Sequence, residues 1–593
     1  MFRTMKRWQG LGLAATITMA SFGVVFLGFL STRTDFSRAT TIVALLYAAV
    51  LIPAPYLIGS ARNNQIIAFA ALFMLGAITP FLPASLPAQH HTSAVIKTEY
   101  YNLDVETYSD IFPKSSIASG GLARIGDSYL RLSGNGRLYV FGWDAKTDHL
   151  SVTPLPYRAP INGDEFAAAA GRPWEIAQPE AIQENQKAVS TDEGLHTEWF
   201  RTHGLLTQEI GSRIRIFVSH DYWKADQDCW VERVSMLDAD RATILQGGSG
   251  PQWSTLYETS PCLPVHGEGR RRGVSFVGYF GGGRMALLGP QTLLLTVGDF
   301  GFDGVASLGV PSQDPAVSYG KTIAINITDG DTSVFTLGHR NPEGLYVDPA
   351  GTIWSTEHGP QGGDELNQLE SGSNYGWPFA TYGTDYGSFS WPLNAPESSQ
   401  HYRAPFFAWV PSIGVSSLIG VESGRFQNWR GDLLIGSLRA QTLFRARVRE
   451  GHVAYLEPIE LGSRIRDLIE GHDGRIIILT DAELIDSITP KDDRSGEALF
   501  AEKCSGCHDA KKTGGQKIGP NLAGVVGRRV AAHSAYPHYS PALRSLGGAW
   551  TEARLDQFIK APSAFSAGTA MDYAGDTDAA ERSAIISYLA GPR

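Results

Sequence analysis

The chain runs to 593 residues, with 43% hydrophobic side chains, 65 glycines and a formal net charge of −10. It is too long for one hydrophobic core and too apolar for a disordered chain, so a multidomain, turn-rich globular protein is expected. Residues 97–490 hold 31 basic against 48 acidic side chains, a balance that argues against nucleic acid, whose phosphates reward Lys and Arg.

Residues 1–90 read as a membrane anchor. The runs 11–30, 41–58 and 66–82 carry no charged side chain. Pro53, Pro55 and Pro80 introduce kinks, and about three transmembrane helices are expected at these lengths. No small-x-small cleavage site follows Leu30, which favours an anchor over a removed signal peptide. Arg3, Lys6 and Arg7 precede the first run and favour a cytoplasmic N-terminus. An odd number of spans then places the rest of the chain outside. In a Gram-negative bacterium the anchor would sit in the inner membrane, with the remainder in the periplasm.

Residues 97–490 have a β pattern, short Val/Ile/Leu/Phe/Tyr strands separated by Gly, Pro, Asn and Asp. A tight turn followed by an apolar strand recurs: Gly134-Asn135-Gly136 before Leu138–Phe141, Gly211-Ser212 before Ile214–Val218, and Gly289-Pro290 before Leu293–Leu295. It returns as Pro349-Ala350-Gly351 before Thr352–Trp354, Gly431-Asp432 before Leu433–Ile435, and Asp473-Gly474 before Ile476–Leu479. Such units at intervals of roughly 40–80 residues fit four-stranded blades with loop insertions, so a six-bladed β-propeller is expected. Cys229 and Cys262 lie here. An oxidising compartment permits a disulfide between them, and two buried free thiols are the alternative.

The densest polar string runs from Gly338-His339-Arg340-Asn341-Pro342-Glu343-Gly344 through Glu357-His358-Gly359-Pro360-Gln361-Gly362-Gly363-Asp364 to Asn374-Tyr375-Gly376-Trp377. Consecutive glycines let backbone carbonyls approach a hard cation, and arginine beside asparagine suits a planar ligand rich in carboxylates and carbonyls. The string resembles the glucose/sorbosone dehydrogenase family, six-bladed propellers that bind pyrroloquinoline quinone and Ca2+ and oxidise aldose sugars. The resemblance is clear from about Gly281 to Asp481. It implies that Arg340 and Asn341 contact the quinone, with Arg340 beside the carbonyl carbon that receives hydride. Arg464 and Arg466 are implied to grip its carboxylates, and the backbone of Gly359 and Pro360 to bind calcium. Arg439 stands where the family usually places a lysine, so a planar fork replaces a point charge. The family's general base is a histidine four residues before the arginine of a Gly-Gly-Arg turn. Here that turn is Gly282-Gly283-Arg284, and Phe280 occupies the base position. Asp299 matches the aspartate that supports the missing histidine. Either Asp299 or His266 substitutes as base, or the propeller no longer catalyses this reaction.

Residues 493–593 carry Cys504-Ser505-Gly506-Cys507-His508, the spacing for covalent attachment of a c-type haem. Two thiols form thioethers to one haem, and the adjacent histidine is held under the iron. Met571 supplies the opposite axial ligand, which raises the potential and closes the iron to oxygen chemistry. A zinc site would need further N/S ligands, and no second C-x-x-C exists. The region resembles a class I cytochrome c. That resemblance implies that the Pro520 carbonyl orients His508, and that Arg528, Tyr539 and Trp550 hold the haem propionates. Gly496 and Phe500 are expected to face Ile585, Tyr588 and Leu589.

The expected architecture is therefore multidomain: N-terminal transmembrane helices in 1–90, a six-bladed β-propeller in 97–490, and a C-terminal all-α class I cytochrome c in 493–593. The expected function is oxidation of an aldose sugar or related alcohol at pyrroloquinoline quinone, with electrons passed to haem c and on to a redox partner protein or the respiratory chain. Lys511, Lys512, Lys517, Arg528 and Arg529 are expected to dock the cytochrome on the acidic propeller, where fusion would raise effective concentration. The alternative is a non-catalytic binding or docking propeller beside an electron-transfer cytochrome, which Phe280 favours.

Overall fold

A computed structural model describes residues 90–144, 149–175, 196–248, 250–265, 276–304, 309–384, 392–393, 402–491, 495–515 and 517–591. The three N-terminal apolar runs, Arg3, Lys6, Arg7 and His266 lie outside the described residues. Among the described residues no helix is long and apolar enough to cross a membrane.

Six antiparallel sheets make the six blades. Their innermost strands are Gly120–Ile125, Thr202–Ile210, Gly282–Gly289, Pro342–Val347, Val415–Gly420 and Ile465–Glu470. The ring is closed by pairing distant segments: strand Asn102–Ser109 adds outside Ile485–Pro490 of the last blade, and His90–Lys97 adds a fifth strand.

The strands form where the sequence supplies apolar residues for both faces. All five residues of Ile476–Thr480 are buried, because each blade is covered by a neighbour on either side. A continuous apolar run, rather than an alternating one, is the expected signature of such a strand. Five of the six recurrent turns join the innermost strand of a blade to its second strand. The first, at Gly134–Gly136, joins the second and third strands instead. The equivalent first turn of that blade is Gly126-Asp127. Packing at the axis is tight enough to select glycine: a Cβ on Gly204 would lie 2.3 Å from the Gly283 carbonyl oxygen. Cys229 and Cys262 form a disulfide, tying strand Cys229–Asp240 to the short strand Leu263–Pro264.

The last blade ends at Pro490, and the first helix of the C-terminal region, Gly496–Lys503, begins six residues on. Ser495 caps that helix, its side chain accepting from the Ala498 N–H. Gly496 permits the crossing with helix Ala579–Ala590, since a Cβ there would lie 1.9 Å from the Ala584 carbonyl oxygen. Phe500 meets Tyr588 with ring centroids 5.4 Å apart. Thr551 caps Glu552–Lys560 and Asp578 caps Ala579–Ala590.

Candidate functional site: a polar propeller face and a haem pocket

Strand direction gathers the propeller's polar residues at one end. Arg340 and Asn341 precede an innermost strand, and Arg464 precedes another. Asp299, Gly359, Arg439 and Asp481 follow second strands that run back to the same end.

Arg340 is the centre of this face. Its guanidinium carbon lies 4.6 Å from the Phe280 ring centroid and 5.3 Å from that of Trp377, which places the cation on two aromatic faces. Its Nη1 donates to the carbonyls of Gly359 at 3.0 Å and His358 at 3.3 Å. Asp299 sets Trp377: the indole donates to Oδ2 at 2.7 Å, while the Gly301 N–H donates to Oδ1 at 2.8 Å. Burial pushes the Asp299 carboxyl up to about 7, against the opposing pull of Arg340.

Asn341 acts locally. Its Oδ1 accepts from the Gly282 N–H at 3.1 Å and its Nδ2 donates to Glu343 at 3.1 Å, so it pins the turn that follows Phe280. Arg464 and Arg466 are brought together by Asp481, donating through Nε at 2.8 and 2.7 Å. Arg466 also lies 3.7 Å from Glu343. Burial raises the Asp481 carboxyl, but the two guanidiniums outweigh it and hold that carboxyl below its ordinary range. Arg466 is thus shared between two acids, Asp481 and Glu343, whereas Arg464 meets only Asp481 among its ion pairs and its side chain is 38% exposed. Arg439, exposed, adjoins it, because Arg464 Nη1 reaches the Leu438 carbonyl at 3.4 Å.

This face suits a planar polycarboxylate. It offers a guanidinium between aromatic rings, the partly exposed guanidinium of Arg464 and the exposed Arg439. The Gly359 carbonyl is turned toward a positive group, as a calcium ligand would be, although here it serves Arg340. Among the described residues no cluster of three or more His, Cys, Asp or Glu could hold a metal ion.

A second set of groups in this face was not anticipated from the sequence. His203 stands at the start of strand Thr202–Ile210, 3% exposed, with Nε2 3.2 Å from Asp221 Oδ1. The other oxygen of Asp221 accepts from the Arg201 N–H at 3.0 Å. Glu232, directly across the strands from Asp221, is buried with neither carboxyl oxygen hydrogen-bonded. Burial, and then Asp221, push its carboxyl well above the ordinary range. The readable signal was Thr202-His203-Gly204, a polar residue before a glycine at the head of an innermost strand. It has no meaning until the blades are registered.

In the C-terminal region Cys504, Cys507, His508 and Met571 line one largely apolar pocket with Arg528, Tyr539, Trp550, Ile585 and Leu589. His508 Nδ1 and the Pro520 carbonyl are 2.8 Å apart, which leaves Nε2 for a metal. A Cβ on Gly519 would lie 2.2 Å from the His508 ring, so the approach requires glycine. Burial lowers the His508 pKa, favouring the neutral ring that ligates iron.

The cytochrome region meets the propeller at the end opposite the arginines. Lys517 Nζ lies 3.3 Å from Glu99, Asn428 donates to the Glu502 carbonyl at 2.6 Å, and Lys97 lies 3.7 Å from Glu497. Glu99 precedes Asn102, whose strand starts beside Pro490. The expected pairing of a basic group near the haem with an acidic propeller group is present at Lys517. It lies on the far side from Arg340.

These features define a redox protein class, a β-propeller with an arginine-rich polar face joined to a c-type cytochrome. A family model described as Glucose / Sorbosone dehydrogenase matches residues 275–486, and one described as Cytochrome c matches residues 494–591. An uncharacterized protein of Synechocystis sp. is 31% identical over 328 residues, covering 52% of this chain and 74% of the relative. The aldose sugar dehydrogenase of Escherichia coli is 37% identical over 151 residues, covering 25% of this chain and 41% of that enzyme. A cytochrome c homolog of Bradyrhizobium diazoefficiens is 41% identical over 92 residues, covering 16% of this chain and 50% of the homolog. The solved apo-form of the soluble Escherichia coli aldose sugar dehydrogenase aligns at 22% identity over 66% of this chain and 100% of its own, with a TM-score of 0.47. The chain belongs to the glucose/sorbosone dehydrogenase family and carries a class I cytochrome c domain behind the propeller.

Proposed function

We propose that the protein is a membrane-anchored quinohaemoprotein dehydrogenase that oxidises an aldose sugar or related alcohol and delivers the electrons to haem c. The observation that carries this reading is Arg340, held between Phe280 and Trp377 on the face that also presents Arg439, Arg464 and Arg466. Pyrroloquinoline quinone, when bound, supplies the two-electron acceptor. Arg439 and the Arg464/Arg466 pair would hold its carboxylates, and the Gly359-Pro360 backbone would offer oxygens to Ca2+. Arg340 brings positive charge to where negative charge develops, and Asp299 fixes the indole against which Arg340 rests.

The Cys229–Cys262 disulfide and a thioether-bound haem both suit an oxidising compartment, which supports a periplasmic location with residues 1–90 in the inner membrane. The haem then passes electrons to a redox partner protein or the respiratory chain.

The test uses the purified full chain with quinone, Ca2+ and oxidised haem, screened with aldoses and simple alcohols. Substrate-dependent reduction of an added dye and of the haem band is expected. Phe280 packed on Arg340 favours a second reading, a non-catalytic docking propeller. Absence of both quinone binding and dye reduction would establish that reading instead.

A further inference from the structure

We propose that His203, oriented by Asp221, is the proton acceptor of this face and does the work of the histidine that Phe280 replaces. The inference rests on the dehydrogenase reading above. His203 belongs to a different blade from Phe280, yet its ring lies against the turn that follows Phe280. A Cβ built on Gly281 would lie 2.7 Å from the ring's Cε1 and 3.1 Å from Nδ1, and one on Gly283 would lie 2.2 Å from the His203 Cβ. Both positions are glycine, and that is what lets the imidazole approach.

The partner geometry is that of a base and its orienter. Nε2 faces Asp221 Oδ1 at 3.2 Å, while the Arg201 N–H fixes the other carboxylate oxygen at 3.0 Å. Nε2 and Oδ1 fall short of good hydrogen-bond alignment, which is common before substrate and cofactor bind. With the Nε2–H turned to Asp221, Nδ1 carries the lone pair.

Asp299 is the weaker candidate, since its two oxygens already serve the Gly301 N–H and the Trp377 indole. In the proposed step the substrate's hydroxyl proton passes to His203 Nδ1. The hydride of the same carbon leaves for the bound quinone as two-electron oxidant, and a carbonyl remains. Several charged or titratable groups surround the ring. Asp221 and His220 come from strand Arg213–Lys224, Glu232 from Cys229–Asp240, and Arg201 from the preceding loop. Arg284 on the neighbouring innermost strand is turned to Asp467 at 2.9 Å.

Three variants of the full chain test this: His203→Gln, Asp221→Asn, and His203→Gln combined with Phe280→His. With quinone, Ca2+, sugar and a dye acceptor, His203→Gln is expected to lower kcat/KM by about 10²–10⁴-fold and to abolish the rising limb of the pH profile, with quinone affinity unchanged. Asp221→Asn should shift that limb, and Phe280→His should restore activity to the glutamine variant. A readout without turnover is the nitrogen resonances of labelled His203, which should move when quinone is added to the protein. A glutamine variant with the wild-type rate and pH profile, or a His203 signal indifferent to quinone, overturns the proposal while leaving the dehydrogenase reading intact. A wild type that binds no quinone and reduces no dye sinks that reading, and the proton role with it.

Discussion

Both oxygens of Asp299 accept hydrogen bonds and the side chain is 1% exposed, yet its carboxyl is held at about 7 by burial. An unfolded aspartate ionises near ~3.9. Between those values the unfolded chain gives up a proton that the folded chain keeps. The contribution to stability is therefore full below pH ~4, falls as pH rises toward ~7, and then levels. Asp299→Asn should remove that decline. Melting curves from pH 4 to 8 should show the variant gaining on wild type with rising pH, by up to about 4 kcal/mol. A constant gap between the two would mean that Asp299 is ionised throughout. At this scale legibility follows distance along the chain. Cys504, Cys507 and His508 declare their chemistry because haem attachment needs them adjacent. Arg340 is legible only through the string around it. His203 and Asp221 lie well upstream of Phe280, in another blade, and only blade packing brings them to the turn.

Strands and their connections were legible where turn chemistry is local. The glycine turns before Ile214, Leu293, Thr352, Leu433 and Ile476 each mark the second strand of a blade. In the first blade Gly126-Asp127 is the same kind of turn as Gly431-Asp432, but Gly134-Asn135-Gly136 follows eight residues on with two glycines, and this more conspicuous signal lies one strand further. Closure of the ring was not legible, since Asn102–Ser109 pairs with Ile485–Pro490 from the opposite end of the propeller sequence. The disulfide belongs to this scale as well. It closes a 33-residue separation between a long strand and the short strand Leu263–Pro264. Cys262→Ser should destabilise the propeller by about 2–4 kcal/mol, read as a lower denaturant midpoint. Added reductant should lower the wild type toward the variant and leave the variant unmoved.

For the whole molecule, the decisive feature is where the cytochrome is attached. Five residues lie between Pro490 and Gly496, a reach of at most ~20 Å. A strand of six residues is itself ~20 Å deep. The tether starts at the end of the propeller opposite Arg340, on a strand two places out from the axis. Its length is consumed by the depth of one blade, with none left to cross from rim to axis. A linker that cannot span two sites confers an effective concentration near zero, so the advantage anticipated from fusion does not extend to direct contact between a chain's own haem and its own arginine-rich propeller face. Haem reduction by substrate should accordingly have an initial rate per chain that rises with protein concentration. A rate per chain independent of dilution would show that the haem is served from within its own chain. Lys517→Glu should loosen the cytochrome from Glu99 and raise that rate only slightly, since an exposed pair is worth about 0–1 kcal/mol.

The same attachment has a genetic consequence. A chain with Cys504→Ala and Cys507→Ala lacks a haem, and one with Arg340→Ala lacks a working propeller face. If electrons cross between molecules, neither defect is confined to the chain that bears it. The two mutant proteins mixed together should regain sugar-dependent haem reduction that each lacks alone, and the two alleles expressed in one cell should complement.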